Sequence, residues 1–408
     1  IAVGYNISNE KFWQPIKPVI SNLKIRGSWG LVGNDATNAG RFAYMEDLVL
    51  GGSDSYTTGI RQDTYYSGPS WNRYFNPDLT WEVGEKINLG LDLQLFNDFN
   101  LTFDIFREKR RDIFMTRENS IPEIVGTGET KITSNNGEME NKGLDLAIDY
   151  NKQITKDFFL SFKSTLTFAR NKVLKMDESP YFEYPGLSDV GHPLGTYWGY
   201  VADGLFPDQE TIDNSPRQDL GYTPQPGDIK YVNQPNAKGE YDNVINSNDR
   251  VAIGHPYDPE LVYGFGPSMK WKNWDFSFFF QGVARTSFMM YGMHPFGTTS
   301  IKNMLQFVAD DHWSVDNPNP NAAYPRLTKD SNGNNDQYST YWLRNAAFLK
   351  LKNAEIGYTY KGMRFYLSGV NLLTFSPFKH WDPEMGGGNG LYYPTQRVFN
   401  IGFQMTIQ

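Results

Sequence analysis

Apolar residues stand at every second position in many short stretches of this chain. The clearest example is KINLGLDLQLFNDFNLTFDIF, residues 86–106, in which two alternating runs flank a predicted turn at 97–100. The alternating apolar residues are Ile87, Leu89, Leu91, Leu93, Leu95, Leu101, Phe103 and Ile105. Because successive side chains of a β-strand point to opposite faces, this pattern predicts a β-hairpin with one apolar face and one polar face.

The same alternation predicts β-strands along almost the whole chain. The predicted strands are 1–6, 23–31, 87–95, 101–106, 144–150, 158–168, 263–271, 274–281, 348–360, 363–375 and 399–407. The alternation changes parity near Asn353 and Gly369, which predicts β-bulges at these two places. Because the alternation is already under way at Ile1, we expect the chain to be part of a longer polypeptide.

The connections between the predicted strands are alternately short and long. The short ones contain FNDFN, NKQITKD, KWKNWD and TYKGM, and the long ones cover roughly 32–79, 114–140, 177–259, 290–345 and 376–396. Outer-membrane β-barrels have short periplasmic turns and longer extracellular loops. The order therefore predicts an all-β fold, a transmembrane antiparallel β-barrel with extracellular loops and a periplasmic C-terminus.

Composition excludes several classes of protein. No stretch approaches the roughly 20 apolar residues that a membrane-spanning helix needs, and the mean hydropathy is −0.54. The chain has no cysteine, which excludes disulfides and thiolate metal sites. The net charge is −8 and the chain has no long basic stripe, so nucleic acid is not expected as a partner.

The apolar face of the strands can contact either lipid or a protein core, since both produce the same alternation. Lipid is favoured because the polar face carries several charges and because aromatic residues cluster at strand ends. The residues expected to face lipid are Leu89, Leu91, Leu93, Leu146, Phe162, Phe278, Ile401 and Phe403. In the alternative, a soluble or surface all-β carbohydrate-binding module or glycoside hydrolase, these residues would form a core.

Nine stretches of the chain match one known family in the order in which that family carries them. They are SNLKIRGSWGLVGND (21–35), NPDLTWEVGEKINLGLDLQLF (76–96), NNGEMENKGLDLAIDY (135–150), GTYWGYVADGLF (195–206), NDRVAIGHPYDPELVYGFG (248–266), FFFQGVART (278–286), NPNPNAAYPRL (317–327), LRNAAFLKLKNAEIGYTY (343–360) and LSGVNLLTF (367–375). Together they resemble the SusC/RagA family of TonB-dependent transporters of Bacteroidetes.

This resemblance implies that residues 1–408 are the C-terminal part, about eleven strands, of a larger barrel with a plug in its lumen. The plug, the earlier strands and the TonB box would lie upstream of this chain. The resemblance also implies TonB-dependent import of oligosaccharides or oligopeptides across the outer membrane, with a SusD-like surface lipoprotein as a lid. It implies no enzymatic activity and no cofactor.

No catalytic or metal-binding group of residues stands out in the sequence. The five histidines stand singly, and neither H-E-x-x-H nor G-x-S-x-G is present. The segment DSNGNND, residues 330–336, begins like a calcium loop with Asp330, Asn332 and Asn334. It has Asn335 where such a loop needs glycine, and it lacks the final glutamate. We therefore expect no catalytic residue and no metal site.

Aromatic residues in the long loops are the candidates for substrate contact. They are Trp71, Tyr74, Tyr197, Trp198, Tyr200, Trp381 and Tyr392. Flat apolar rings can stack on sugar rings, but tyrosine and tryptophan also pack loops together and are enriched in protein interfaces. The basic run REKRRD, residues 107–112, is a candidate contact for lipopolysaccharide, with a solvated extension of its strand as the alternative.

Overall fold

The computed structural model describes residues 1–36, 41–51, 55–117, 119–125, 132–178, 183–291, 296–297, 300–301, 305–328 and 332–405. Its main feature is one antiparallel sheet of eleven strands that pair in chain order. These strands are β1 (Ala2–Asn6), β2 (Ile20–Asn34), β3 (Glu82–Leu95), β4 (Phe99–Arg117), β5 (Ile132–Thr155), β6 (Phe158–Lys175), β7 (Leu261–Trp271), β8 (Trp274–Ala284), β9 (Phe348–Tyr360), β10 (Met363–Phe375) and β11 (Val398–Met405). The eleven predicted strands are therefore all present; for the last of them, residues 406–407 lie outside the described part.

The hairpin that the alternation predicted most clearly is formed by β3 and β4. Leu91 pairs with Phe103, and Leu95 pairs with Phe99 at the end of the ladder. The turn is 96–98, so the expected turn at 97–100 was placed too late. Phe96 adopts a positive φ of 51°, which lets the chain reverse before the aromatic residue at 99 enters the next strand.

Several strands continue beyond the apolar alternation at their long-loop ends. The predicted strand 101–106 ends in the structure only at Arg117, and the predicted strand 144–150 begins at Ile132. The extension includes the basic run 107–112, whose side chains pair with carboxylates on β5. Residues 107–112 are all charged and therefore show no alternation of apolar and polar positions. For this reason the strands predicted from the alternation end too early.

Both expected bulges lie on the β9–β10 pair. The ladder shifts register between Leu351 and Asn353 on β9, as predicted. On β10 the same shift falls between Val370 and Leu373, close to the predicted position at Gly369. Asn371 lies within it and has a φ of 56°, a backbone conformation that asparagine tolerates better than most residues.

The short and long connections lie at opposite edges of the sheet. The turns 96–98, 156–157, 272–273 and 361–362 share one edge, together with the connection 7–19. The long connections 35–81, 118–131, 176–260, 285–347 and 376–397 share the other edge. This follows from the antiparallel order of the strands and confirms the predicted alternation of short and long connections.

The connections contain only short elements. Their strands are Asp47–Val49, Ser55–Thr58, Thr64–Ser67, Ser70–Arg73, Tyr197–Gly199, Ala202–Leu205, Arg217–Gln218, Ile229–Tyr231, Val244–Ile245, Val251–Ile253, Ser287–Met289, Phe296–Gly297, Ser300–Ile301 and Leu343–Asn345. Their helices are Ile7–Asn9, Lys11–Trp13, Glu123–Val125, Pro185–Leu187, Gln209–Asp213, Ser247–Asp249, Gln306–Asp310 and Pro383–Met385. Within the described ranges, no helix combines the length and the apolar character needed to cross a membrane.

One face of the large sheet is apolar, and we call it the outward face. The ladder register places Leu91, Phe103 and Leu146 side by side on it. The other residues expected to face lipid share this face by the same register. Many of their side chains are open, with 54% of Leu89 and 55% of Phe403 exposed.

The opposite, inward face is polar and carries ion pairs that cross strands. The Arg26 guanidinium reaches from β2 over Gly90 on β3 to Asp104 on β4, with an N–O distance of 2.6 Å. A Cβ at Gly90 would lie 2.5 Å from the centre of that guanidinium. Arg364 pairs with Asp275 across Gly357 on β9 in the same way. Glycine at the crossing point lets an arginine bridge two strands that are not neighbours.

The two faces make opposite predictions for an added charge. In the full-length protein, Leu91→Arg on the outward face should destabilise the folded barrel by about 2–4 kcal/mol if that face lies in a bilayer. Gln94→Arg, three residues away on the inward face, should have little effect. Urea titration of refolding into lipid vesicles, followed by gel mobility, measures both. Equal tolerance of the two substitutions would show that β3 does not face lipid.

Candidate substrate and partner face of the long loops

The main hydrophobic core of the described residues lies in the long loops and not in the sheet. Its buried residues are Tyr200, Leu205, Ile229, Tyr231, Ile245, Ile253, Phe288, Met289, Met290, Val308, Trp313, Ala322, Tyr324, Trp342, Ala346 and Phe378. They come from the connections 176–260, 285–347 and 376–397, and none of them lies on β1–β11. We call these three connections the loop core. Their shared packing gives the long-loop edge a folded surface.

A buried carboxylate joins two of the loops. Asp228 is fully buried, and its Oδ1 accepts hydrogen bonds from Arg326 Nε at 2.8 Å, Asn332 Nδ2 at 3.0 Å and Asn335 Nδ2 at 2.8 Å. Its other oxygen accepts from the backbone N–H of Gln225. A buried charge is tolerated only when it is paired and hydrogen-bonded, and Asp228 meets both conditions.

The asparagine-rich segment that begins like a calcium loop has a structural role instead. Asn332, Asn334 and Asn335 are fully buried. Asn334 donates to the carbonyl of Ile229 at 2.8 Å, and Asn335 Oδ1 accepts from the N–H of the same residue at 2.9 Å. Their amides are therefore used inside the loop core; Asp330, the first residue of the motif, lies outside the described residues. Within the described part, no group of three acidic or histidine side chains is arranged to hold a metal ion.

A lysine cluster ties the last long loop to β9. Lys350 is fully buried, and its Nζ lies 2.6 Å from Asp382 Oδ2 and in contact with Glu384. Lys352 Nζ lies 2.6 Å from the other oxygen of Glu384. Burial raises the pKa of Glu384, but the hydrogen bonds from the two lysines outweigh burial and leave that pKa below its usual value. The cluster fixes the helix Pro383–Met385 beside the sheet.

Three of the seven aromatic candidates have exposed or partly exposed rings in the outer loops. Trp71 and Tyr74 stack with their centroids 5.7 Å apart, and 37% of Trp71 is exposed. Tyr392 is 57% exposed, and its hydroxyl bonds to Tyr291, which raises the pKa of Tyr291. These rings present flat surfaces that a ligand can reach.

The remaining candidates are held by other side chains. Tyr197 lies 6.4 Å from the ring of Tyr257, and Trp198 lies edge-on to His192 at 5.1 Å. Tyr200 is 3% exposed and packs inside the loop core. Trp381 packs against this core too, and its Nε1 donates to the carbonyl of Gly386 at 2.9 Å. Tyr200 and Trp381 therefore contribute to the packing of the loops.

Burial raises the pKa of three tyrosines of the loop core. The pKa values of Tyr231, Tyr324 and Tyr341 are raised, chiefly by burial. Arg344 beside them has a lowered pKa for the same reason. A phenol with a raised pKa donates hydrogen bonds at neutral pH but cannot serve as a general base.

Two cavities lie away from the seven aromatic candidates. A cleft of about 890 Å³ is enclosed by residues 206–225, with Arg217 and Asp219 among its polar lining residues. A smaller cavity of about 300 Å³ lies between the inward face and the segment 256–260, and it is lined by Glu108 and Arg110. Phe206 and Tyr222 line the larger cleft, but neither was among the aromatic candidates.

The fold and its loop-built face agree with one protein family. The family model described as TonB dependent receptor-like, beta-barrel, matches residues 36–372. The chain belongs to this family of receptor barrels, and not to a class of soluble carbohydrate-binding modules or hydrolases.

More specific similarities confirm the resemblance to SusC and RagA. The chain is 28% identical to TonB-dependent receptor SusC of Bacteroides thetaiotaomicron over 99% of its own length, and 28% identical to TonB-dependent receptor P26 of Formosa agariphila over 100%. It spans 39% and 42% of those relatives, that is, less than half of their length. A solved structure of the RagAB peptide transporter superposes with a TM-score of 0.72 at 22% identity, covering 99% of this chain and 43% of that one. That structural likeness supports the fold.

The buried carboxylate of the loop core makes a testable prediction. In the full-length protein, Asp228→Asn leaves Arg326 without its charged partner, and breaking a buried pair in this way costs about 3–5 kcal/mol. We expect the loop core to open more readily, so that the backbone amide of Ile229 exchanges hydrogen faster by mass spectrometry. Asp203→Asn removes the exposed pair with Lys230 and should change local stability by no more than about 1 kcal/mol. Similar exchange in both variants would contradict the role of Asp228.

Proposed function

We propose that this chain forms the C-terminal part of the barrel wall and part of the capture face of an outer-membrane importer driven by TonB. The imported substrates are oligosaccharides or oligopeptides. A plug and earlier strands lie upstream of residues 1–408, and the plug responds to TonB. The membership of the chain in the receptor-barrel family supports this proposal, as do its similarities to SusC and to the RagAB structure.

The observation that carries the proposal is the apolar outward face. On β6 its outward positions run from Phe158 to Phe168, about 34 Å of strand at about 3.4 Å per residue. A strand tilt of about 45° reduces that length to about 25 Å, the height of the apolar band of a membrane barrel. Exposed apolar patches of this extent are unfavourable in water, so lipid is the environment that suits the face.

The lengths of the connections favour one orientation of the sheet in the membrane, and aromatic side chains mark its edge. Trp271 and Trp274 flank one short turn, and Tyr358 packs 4.8 Å from Trp274. Aromatic rings concentrate at membrane–water interfaces, and short turns belong to the periplasmic side of outer-membrane barrels. The long loops are then extracellular, and the end of β11 lies on the periplasmic side.

The loop core suits the docking of a lid protein. Three connections packed on one core present a folded surface to the outside. We propose that a SusD-like surface lipoprotein closes over this surface and that substrate is held between the two proteins. The stacked pair Trp71 and Tyr74 and the exposed Tyr392 remain the best candidates for substrate contact. Tyr197 and Trp198 are candidates at half-buried positions, whereas Tyr200 and Trp381 are better suited to support the loops.

Growth of the source bacterium tests this function. Deletion of the full-length gene should abolish growth on at least one panel of oligosaccharides or on a peptide mixture, and a proton-motive-force uncoupler should stop uptake of that substrate. Complementation with Trp71→Ala and Tyr392→Ala together should slow growth without lowering the amount of receptor in the outer membrane. Unchanged growth of the deletion strain on both panels, or recovery of the receptor in the soluble fraction, would contradict the proposal.

A further inference from the structure

Four cations cluster at the long-loop ends of β4 to β8, and three of them lie on the outward face by the register of the ladder. We call Arg107, Lys142, Arg170 and Arg285 the basic patch. The ladder pairs Arg107 with Lys142 and Lys142 with Arg170, so three cations stand side by side on three neighbouring strands. Arg285, just after β8, places its guanidinium 5.8 Å from the ring centre of Phe168. Like charges opposite each other destabilise a sheet, so anions bound at the patch would stabilise it.

The row directly below the basic patch is apolar. Ile105, Leu144 and Phe168 pair with one another across the same strands, one outward position closer to the short turns. The patch therefore lies at the boundary between the apolar band and the polar strand extensions. In a barrel whose outward face contacts lipid, this boundary is the depth of the lipid headgroups.

The first carboxylate near the patch is shared by two of its cations. Glu140 lies 2.6 Å from Arg107 and, through its other oxygen, 2.6 Å from Lys142 Nζ. The carboxylate side chain is only 11% exposed, whereas Arg107 is 51% and Lys142 is 59% exposed. Both carboxylate oxygens are paired with these two cations, and more than half of each cationic side chain is still exposed.

A second carboxylate repeats this arrangement. Glu260 lies 2.6 Å from Arg285 Nε and 3.1 Å from Arg170 Nε. Its side chain is 4% exposed, while Arg170 is 55% and Arg285 is 40% exposed. Each nearly buried carboxylate thus holds two cations in place, and each group of three carries one excess positive charge.

We propose that the basic patch binds the phosphate groups of lipopolysaccharide, with the acyl chains lying along the apolar row beneath it. Guanidinium groups bind phosphate oxygens through paired N–H donors. The two carboxylates pre-order the cations, which reduces the cost of fixing them on binding. This inference rests on the proposed function, because it requires the long loops to face the outer leaflet. It extends the candidate run at 107–112 to a site built from several strands.

Binding of lipid A to the full-length receptor in detergent tests the site. The probes are lipid A with both phosphates and chemically dephosphorylated lipid A, measured by native mass spectrometry at low salt. The wild-type protein should prefer the phosphorylated probe, and Lys142→Gln combined with Arg170→Gln should weaken its binding about tenfold or more. Each carboxylate keeps one cation in this variant, since Arg107 and Arg285 remain, so the strands should fold normally.

Lys163→Gln is the matched control, because Lys163 lies on β6 but on the inward face and is 71% exposed. It should leave binding of both probes unchanged. Equal binding of the two probes by the wild-type protein, or equal losses in the patch variant and the control, would overturn the site. The mobility shift of the unboiled receptor on SDS gels separates the two proposals. A normal mobility shift without a preference for phosphorylated lipid A refutes only this site. Absence of both the mobility shift and the preference refutes the membrane barrel as well.

Discussion

An apolar sheet face that no layer of the described residues covers is the constraint on which the rest of this structure depends. Side chains such as Leu89 and Phe365 are more than half exposed on it. In a bilayer such a face is favourable where the backbone N–H and C=O groups are paired, as they are between neighbouring strands of this antiparallel sheet. Within the apolar band the charges must then lie on the inward face, where Arg26 and Arg364 cross glycines to reach carboxylates.

A sheet with lipid on one side and a polar lumen on the other cannot supply a conventional core. The chain places its core in the long loops, where apolar residues pack around a carboxylate held by Arg326 and two asparagines. The described residues of these loops thereby form a folded layer. The cluster of Lys350 with Asp382 and Glu384 attaches this layer to the barrel wall. A fixed outer surface of this kind is what a capture site and a lid protein need.

The sequence pattern predicted the sheet because contact with one apolar environment imposes a period of two on each strand, as in 87–95 and 158–168. It ended β4 too early, since the residues of the run 107–112 are all charged. The loop core could not be predicted from local sequence patterns, because Asp228 accepts a hydrogen bond from Asn332, which lies 104 positions further along the chain. The asparagine-rich segment was noticed for its partial likeness to a calcium loop, but its local spacing could not indicate a distant carboxylate partner. Among the aromatics, residue type alone did not separate exposed Tyr392 from buried Tyr200.

The central claim is that the outward face contacts lipid. Spin labels at Leu146→Cys and Ala147→Cys, introduced singly into the full-length receptor in a background without other reactive cysteines, test it in bilayers by electron paramagnetic resonance. The two positions are adjacent on β5 and point to opposite faces. We predict that oxygen, which dissolves in lipid, relaxes the label at 146 more strongly, and that a water-soluble nickel complex relaxes the label at 147 more strongly. Equal access of the nickel complex to both labels would contradict the account.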